Sequence, residues 1–143
     1  QVDQGNELLN LLLGDKLLFI AHGEVIAGVD LTELQDSDIT VSEDRGRVTV
    51  RLPAARVLTH RLDNDLSRVY DRETGLLTKG DASLEGEVRR QAEQAVLTAA
   101  CEGGILQQAQ KNAQSQVQIL LLALEFRDVQ FQSPPAAVNT GCP

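Results

Sequence analysis

The chain has 143 residues and a formal net charge of −8 at pH 7, and only 3% of its residues are aromatic. A chain of this length forms one domain that buries enough surface to fold without metal or disulfide staples. The acidic balance argues against a protein that binds duplex nucleic acid, because such proteins carry a basic surface. The scarcity of aromatic side chains predicts an aliphatic core with few platforms on which bases or sugars could stack.

The charge is distributed unevenly along the chain. Residues 1–44 carry a net charge of −9, residues 45–72 carry +4, and residues 73–143 carry −3. We interpret the arginines of the middle segment as the solvent-exposed side of half-buried strands, and an interaction face is the alternative. The arginines concerned are Arg47, Arg51, Arg56 and Arg61.

The N-terminal residues predict a short helix and then a strand. Residues 7–13 are rich in leucine and end at Gly14, a residue type that commonly ends helices, so we predict a helical lead-in over residues 1–16. Residues 17–29 predict an extended strand, in which Gly23 indicates a bulge or a close approach of another backbone.

A helix-start signal follows this strand. Asp30 is a residue type that caps helices, and Glu33 stands three positions later, as in a capping box. The pattern predicts a helical turn over residues 31–34 and a polar break over residues 35–38.

The middle of the sequence has the two-residue periodicity of β-strands. In residues 47–52 every second residue is Val or Leu, and the residues between them are Arg or Thr. Pro53 ends this strand. The side chains predicted to face the core are Val48, Val50 and Leu52. Further strands are predicted over residues 39–41, 56–62 and 66–72.

From residue 81 the apolar periodicity changes from two to about 3.6, which predicts helices. Gly103 and Gly104 interrupt this pattern at a cost of about 2 kcal/mol relative to alanines, so they predict a break between two helices. The apolar face of the first helix is Leu84, Val88, Ala92, Ala95 and Ala99, and the stripe of the second is Ile105, Ala109, Ala113, Val117, Leu120 and Leu124. Residues 128–132 predict a final strand.

Strands followed by helices and a last strand predict an α+β fold. We predict an antiparallel sheet of about five strands, with the two C-terminal helices packed on one face and a short final strand. This single domain spans residues 17–132, and residues 133–143 are predicted to be a disordered tail.

The two cysteines, Cys101 and Cys142, lie in an alanine-rich helical stretch and in the tail. A disulfide between them requires the tail to fold back, and their spacing does not match a zinc site. We interpret them as two free thiols, or as one buried and one exposed cysteine. The two cysteines do not by themselves indicate the cellular compartment.

Three segments of the sequence together resemble one bacterial family. The segments are GEVIAGVDL (residues 23–31), VTVRLPAARVL (residues 48–58) and RVYDRETGLL (residues 68–77). The alanine-rich helix pair and a Phe-x-x-Val strand at residues 126–129 also fit. With these motifs, residues 17–132 resemble the domain-of-unknown-function family DUF4230. One departure is visible, because Glu125 stands where a glycine is expected before Phe126.

The resemblance implies a single N-terminal membrane-spanning helix before this domain, and it brings no established activity or catalytic residues. Because the chain starts at Gln1 and contains no Met, we expect a fragment or processed product whose anchor is missing. We therefore expect membrane association through the missing segment, with the extracytoplasmic side favoured. No segment of the sequence reaches the ~18–20 apolar residues of a membrane span.

His22 and Glu24 are two positions apart on an extended segment and share a face, as two metal ligands could. The spacing offers no third ligand, and His60 is the other histidine of the chain. We favour a surface or sheet-edge pair, and we predict no metal and no cofactor.

Two further patterns have simple interpretations. Asp63, Asp65 and Ser67 are spaced like the start of a calcium loop, but Arg68 stands where that loop needs Gly, so we favour an Asx-type turn. Cys101 is a candidate nucleophile, but it lies within a predicted helix without an activating cluster, so we favour a core cysteine. The sequence has no nucleophile elbow, phosphate loop or dinucleotide fingerprint.

The densest polar group in the predicted strands consists of Arg68, Tyr70 and Arg72, which share one strand face. These residues are the candidates for an anion or partner site. The alternative is cross-strand ion pairing with a neighbouring strand, each pair contributing about 0.2–1 kcal/mol.

The lack of a catalytic constellation, the family resemblance and the alanine-lined helices predict a non-enzymatic protein-interaction or assembly module. The partners we predict are a protein or a second copy of the chain, and no nucleic acid. The alternative is a binding module for a small apolar or lipid-like ligand between sheet and helices, where the glycine break could leave a cleft. A third hypothesis is a hydrolase that uses His22 or His60 with a carboxylate.

Overall fold

The computed structural model describes the backbone of residues 2–13, 17–63, 68–71 and 82–143, and the side chains of residues 22–63 and 86–143. The described elements are the strands β1 (Val2–Leu13), β2 (Leu17–Gly28), β3 (Ile39–Val41), β4 (Arg47–Val50), β5 (Arg56–Leu62), β6 (Arg68–Asp71) and β7 (Asp128–Phe131), and the helices α1 (Ala82–Glu102) and α2 (Ile105–Ala123). The predicted α+β class, with two helices followed by a short final strand, is confirmed.

The predicted helical lead-in is wrong, because residues 2–13 form the strand β1. Leucine favours helices in isolation, but β1 pairs with β2 in a sheet, and tertiary pairing overrides so weak a local preference. Gly14, the predicted helix end, lies outside the described residues.

The described strands belong to two sheets. The first has the order β1-β2-β5, and β6 pairs with β2. The β2–β6 pair is antiparallel and places Leu18 opposite Tyr70. The second sheet has the order β3-β4-β7, in which β3 is antiparallel and β7 is parallel to β4.

The second sheet has one apolar face. Its register forms two cross-strand rows, Val41–Val48–Val129 and Ile39–Val50–Phe131. Val48, Val50 and Leu52 are buried and Arg47 and Arg51 are exposed, which confirms the predicted alternation. Along β4, one face of this sheet is therefore apolar and buried and the other is polar and exposed, as in an antiparallel sheet that is covered on one side.

Residues 17–132, predicted as one domain, divide by internal contacts into two compact units. One unit contains Ala27–Leu58 and Gly104–Cys142, and so includes the second sheet and α2. The other contains Gln4–Ile26 and Thr59–Gly103, and so includes α1.

Helix α1 packs closely on β2 at Gly23. A Cβ atom at this glycine would lie 2.6 Å from Cγ1 of Val96 and 3.0 Å from the carbonyl oxygen of Arg61. The predicted close approach at Gly23 is therefore confirmed, and a side chain as small as a methyl group does not fit there.

The helices are separated by the predicted glycine break. Gly104 has a φ of +89°, a left-handed conformation that glycine adopts at little steric cost. Its carbonyl accepts the Gln108 N–H at 3.0 Å and so starts α2.

Gln110 fixes the connection between β4 and β5 to α2. Its side-chain oxygen accepts the Ala55 N–H at 2.7 Å, and its side-chain nitrogen donates to the Pro53 carbonyl at 3.2 Å. Gln110 therefore has a defined packing role on α2.

The C-terminal tail, residues 133–143, has no helix or strand, but its end is held in place. The Val57 N–H donates to the Thr140 carbonyl at 2.7 Å. A Cβ on Gly141, which has a φ of +85°, would lie 2.8 Å from Cβ of Val57. The tail predicted to be disordered therefore contacts β5.

Candidate functional site

The residues predicted to bind an anion or a partner are only partly described. Arg68 and Tyr70 lie on β6, opposite Ile20 and Leu18 of β2, but their side chains lie outside the described set. Arg72 lies outside the described residues altogether. The site prediction for these three residues stays a prediction. Residues 65 and 67 of the calcium-like pattern are also outside the described residues.

His22 and Glu24, the pair considered as metal ligands, have structural partners. The carboxylate of Glu24 lies 3.3 Å from Nη2 of Arg61, and the His22 carbonyl accepts the Asp63 N–H at 2.7 Å. His60 is exposed on β5. Among the described residues, no three His, Cys, Asp or Glu side chains lie close enough together to hold a metal ion.

The interpretation of the cysteines as free thiols is wrong. Cys101 and Cys142 are both disulfide-bonded, so neither sulfur is available as a nucleophile. The tail folds back onto β5, where the Val57 N–H donates to the Thr140 carbonyl. No spacing rule predicts the position of a tail, so the sequence alone does not indicate these disulfide bonds.

Two arginines of the arginine-rich segment pair with carboxylates of the acidic N-terminal segment. Arg56 contacts Asp30 and Glu33 at 3.1 Å each, and Arg61 contacts Glu24. Sequence-distant charges of opposite sign therefore neutralise each other at the surface, each pair contributing up to about 1 kcal/mol. This pairing favours the interpretation as the exposed side of half-buried strands over an interaction face.

A polar cleft of about 430 Å³ lies beside the β3–β4 hairpin. Arg47 contacts Asp128 at 2.9 Å, and Arg127 contacts Asp44 at 2.9 Å. The Gly46 carbonyl accepts the N–H groups of Arg127 and Asp128, which starts β7. Because each guanidinium already has a carboxylate partner, the cleft fastens the hairpin to β7 and does not present an unpaired charge to a ligand.

Asp44 and Asp30 have lowered pKa values. The Ser42 hydroxyl donates to Asp44 at 2.5 Å and holds the pKa of that carboxyl below its ordinary value, with help from the Gly46 N–H and Arg127. The pKa of Asp30 is lowered chiefly by the hydroxyl and the N–H of Thr32, and also by Arg56. Asp30 therefore caps the helical turn as predicted, although through Thr32.

The C-terminal half of α2 is strongly apolar and exposed. The first half buries Ile105, Ala109 and Ala113. The predicted stripe then leaves the protein interior: the exposed fractions are 69% for Ile119, 59% for Leu120, 46% for Leu122 and 61% for Leu124. The predicted stripe does not indicate this exposure, although residues 112–124 contain no charged residue, which is a signal visible in the sequence.

The exposed helix end continues into the second sheet. Val41, Leu124 and Phe126 line one open groove of about 480 Å³, with Arg45 and Glu125 at its side. On β3, Ile39 and Val41 are each 44% exposed. Six of the exposed aliphatic residues are called the aliphatic patch here, namely Ile39, Val41, Ile119, Leu120, Leu122 and Leu124. Apolar patches of about 300–600 Å² are the largest on typical monomers and are often functional.

The end of α2 is fixed by a Schellman motif, so the aliphatic patch is not a frayed terminus. The Phe126 N–H donates to the Leu121 carbonyl and the Glu125 N–H to the Leu122 carbonyl. Glu125 occupies the left-handed position of this motif with a φ of +74°. Glycine is the usual residue there, which explains why a glycine was expected before Phe126.

No helix among the described residues is both long and apolar enough to cross a membrane. Neither the curated proteins nor the solved structures contain a match to the chain. A family model described as "Protein of unknown function (DUF4230)" matches residues 1–131, nearly the whole chain. On this match, and on the motifs that carry the resemblance, the chain belongs to the DUF4230 family.

Proposed function

We propose that this chain is a non-enzymatic protein-interaction or assembly module that acts through the aliphatic patch. The observation that carries the proposal is the exposure of four large aliphatic side chains on two turns of α2, between 46% and 69% each. Burying such side chains against a partner gains about 1.5–3 kcal/mol for each one fully covered.

The arrangement of the patch favours a protein partner. The helix end is exposed around most of its circumference and not along one stripe, so its cover must enclose it. The groove formed by Val41, Leu124 and Phe126 adds a concave surface beside the convex helix end. Convex and concave apolar surfaces side by side are suited to interlocking with another folded surface.

A site-specific photo-crosslink tests this proposal. A benzoylphenylalanine at Leu120, introduced into the protein in its native cells, is expected to give a discrete adduct of protein size. The matched control is the same group at Gln107. This residue is exposed, but it lies in the first half of α2, outside the aliphatic patch, and it is expected to give no such adduct.

The outcomes separate the proposal from its alternative. A small mass increase at Leu120 identifies a lipid-like ligand and contradicts the proposal. Equal crosslinking from both positions, or none from Leu120, also contradicts it. Loss of the adduct when Leu124→Ser is added supports contact through the aliphatic patch, because Leu120 and Leu124 are neighbours one turn apart.

We further propose a membrane-associated location, as the family resemblance implies, on the extracytoplasmic side. The support is that both cysteines are disulfide-bonded, which suits an oxidising compartment. Maleimide labelling of denatured protein from cells is expected to modify neither cysteine before reduction and both afterwards. Labelling of both cysteines without a reductant contradicts this location.

A further inference from the structure

We propose that the aliphatic patch binds a second copy of the same chain, through antiparallel pairing of the two β3 strands about a two-fold axis at Thr40. This inference rests on the proposed function and specifies its partner. Three features of the described residues carry it: an open strand edge, a self-complementary register, and an uncharged apolar surface of suitable size.

The open edge follows from the hydrogen bonds of β3. The Arg51 N–H donates to the Asp38 carbonyl at 2.8 Å, and the Ser42 N–H donates to the Arg47 carbonyl at 2.9 Å. The backbone N–H and C=O groups of successive residues in an antiparallel strand point to opposite sides of the strand. Those of Thr40 therefore also point to β4, and those of Ile39 and Val41 point away from it. In the part of the chain that the structure describes, no strand pairs with this side of β3.

The edge presents a limited set of backbone groups. The Ile39 N–H already donates to the Asp36 carbonyl and is not available. The Val41 N–H, the Val41 carbonyl and the Ile39 carbonyl face outward. In a two-fold pair centred on Thr40, Val41 of one copy lies opposite Ile39 of the other, so two hydrogen bonds form across the axis.

The same register joins the apolar surfaces. Residues opposite each other in an antiparallel pair point to the same face. Ile39 and Val41 would therefore extend the apolar rows of the second sheet into the other copy, and the two Thr40 side chains would meet on the polar face. Asp38 would lie opposite Ser42 of the second copy, so the pairing sets no like charges directly opposite each other in the strands.

The size and charge of the patch fit a second copy. The six side chains leave roughly 600 Å² accessible per copy, so a two-fold interface that covered all of them completely would bury roughly 1,200 Å², the lower limit for a stable protein pair. Residues 112–124 and 39–41 contain no charged residue. Two chains that each carry a net charge of −8 can therefore meet here without burying a charge.

Sedimentation equilibrium of the 143-residue chain, with three single-residue variants, tests the inference. Val41→Pro removes the outward N–H but none of the bonds to β4, and it is expected to weaken dimerisation about tenfold or more. Leu120→Ser removes apolar area outside the strand, with an expected loss of about tenfold. Val138→Ser is the matched control, because Val138 is 79% exposed and lies outside the patch, and its dimer should dissociate like the unmodified one.

Each result supports or overturns the inference. A chain that is monomeric at high micromolar concentration overturns it, as does a dimer that Leu120→Ser leaves unchanged. Circular dichroism checks that Val41→Pro folds, and amide exchange gives a second readout: the Val41 N–H of the unmodified chain should lose protection on dilution, whereas the Thr40 N–H should keep it. If Val41 exchanges equally at all concentrations, the proposed strand pairing is wrong.

These results are separate from the test of the proposed function. A monomeric chain that still crosslinks from Leu120 to a different protein contradicts the proposal that the partner is a second copy. It supports the proposal that the chain is an interaction module. A chain that neither dimerises nor crosslinks overturns both. A crosslinked product of twice the chain mass supports both.

Discussion

The two halves of α2 share one predicted apolar stripe but lie in opposite environments. The half from Ile105 to Ala113 places one large aliphatic and two alanines in the interior, whereas the half that ends at Leu124 places four large aliphatics at the surface. A helix usually exposes its polar side chains and buries its apolar ones. The difference teaches that a continuous apolar stripe can change its role along one helix, from folding to recognition.

The largest expected effect compares one substitution in each half. Ile105→Ala should lower the free energy of unfolding by about 3 kcal/mol, because it leaves a cavity at a buried position. Leu120→Ala should lower it by less than about 0.5 kcal/mol, because the side chain is exposed in the monomer. Urea unfolding at low protein concentration measures both. Equal losses would show that the two halves do not differ as described.

Helix α1 provides a second measure of close packing. Gly23→Ala should destabilise the protein by about 2 kcal/mol, because its Cβ would overlap Val96. Gly86→Ala is the control: nothing lies within 4 Å of the added Cβ, and it should stabilise the helix by about 0.5–1 kcal/mol. Adding Val96→Ala to Gly23→Ala should recover part of the loss, and strictly additive effects would contradict the contact.

Two glutamines sharpen the comparison between the halves of α2. Gln110→Ala should cost about 1–2 kcal/mol, because it leaves the Ala55 N–H and the Pro53 carbonyl without their partners. Gln118→Ala, in the exposed half, should change the free energy of unfolding by less than about 0.5 kcal/mol. Thermal unfolding resolves this difference, and a large effect at Gln118 would place that residue in the interior.

The Schellman motif predicts a smaller effect at the end of the exposed half. Glu125→Gly should stabilise the protein by about 0.5 kcal/mol, because it relieves the left-handed backbone. Glu125→Val should destabilise it by about 1 kcal/mol, because a β-branched residue is disfavoured at positive φ. If both variants unfold alike, Glu125 does not hold this conformation.

The smallest effect is the pH dependence of the hairpin beside the patch. The folded pKa of the Asp44 carboxyl is below its ordinary value of 3.8, so its contribution to stability is present above that pH and lost as the pH falls through the folded pKa. Ser42→Ala removes the main cause of the shift and should flatten the fall in melting temperature below about pH 4. Asp44→Asn should flatten the fall in melting temperature further. An unchanged profile in both variants would contradict the view that Asp44 causes this pH dependence.

The sequence predicted the local elements well because their signals are local. The alternation of residues 47–52 and the glycine break at residues 103 and 104 depend on neighbours along the chain, and both are confirmed. The division into two sheets depends on the parallel pairing of β4 with β7, which joins residues about eighty positions apart. The leucines of β1 were misassigned for a related reason, since only the pairing with β2 makes them a strand.

The candidate site was harder to predict than the fold. Periodicity places Leu120 and Leu124 on the same stripe as Ala113, but it does not show where the covering sheet ends. The uncharged run of residues 112–124 was the available signal. The open edge of β3 depends on the hydrogen bond from Ile39 to Asp36 and on the order of three strands, neither of which is visible in a sequence.

The short turn Asp36–Asp38, which precedes β3 and binds the Ile39 N–H, has a consequence for aggregation. An unpaired strand with exposed Ile and Val invites chain after chain to add to it and grow a fibre. Here the turn occupies the outward Ile39 amide, and the remaining outward donor, the Val41 N–H, is satisfied by a single symmetric neighbour. The same groups that admit one copy are thereby used up, so growth by this route ends at a closed pair.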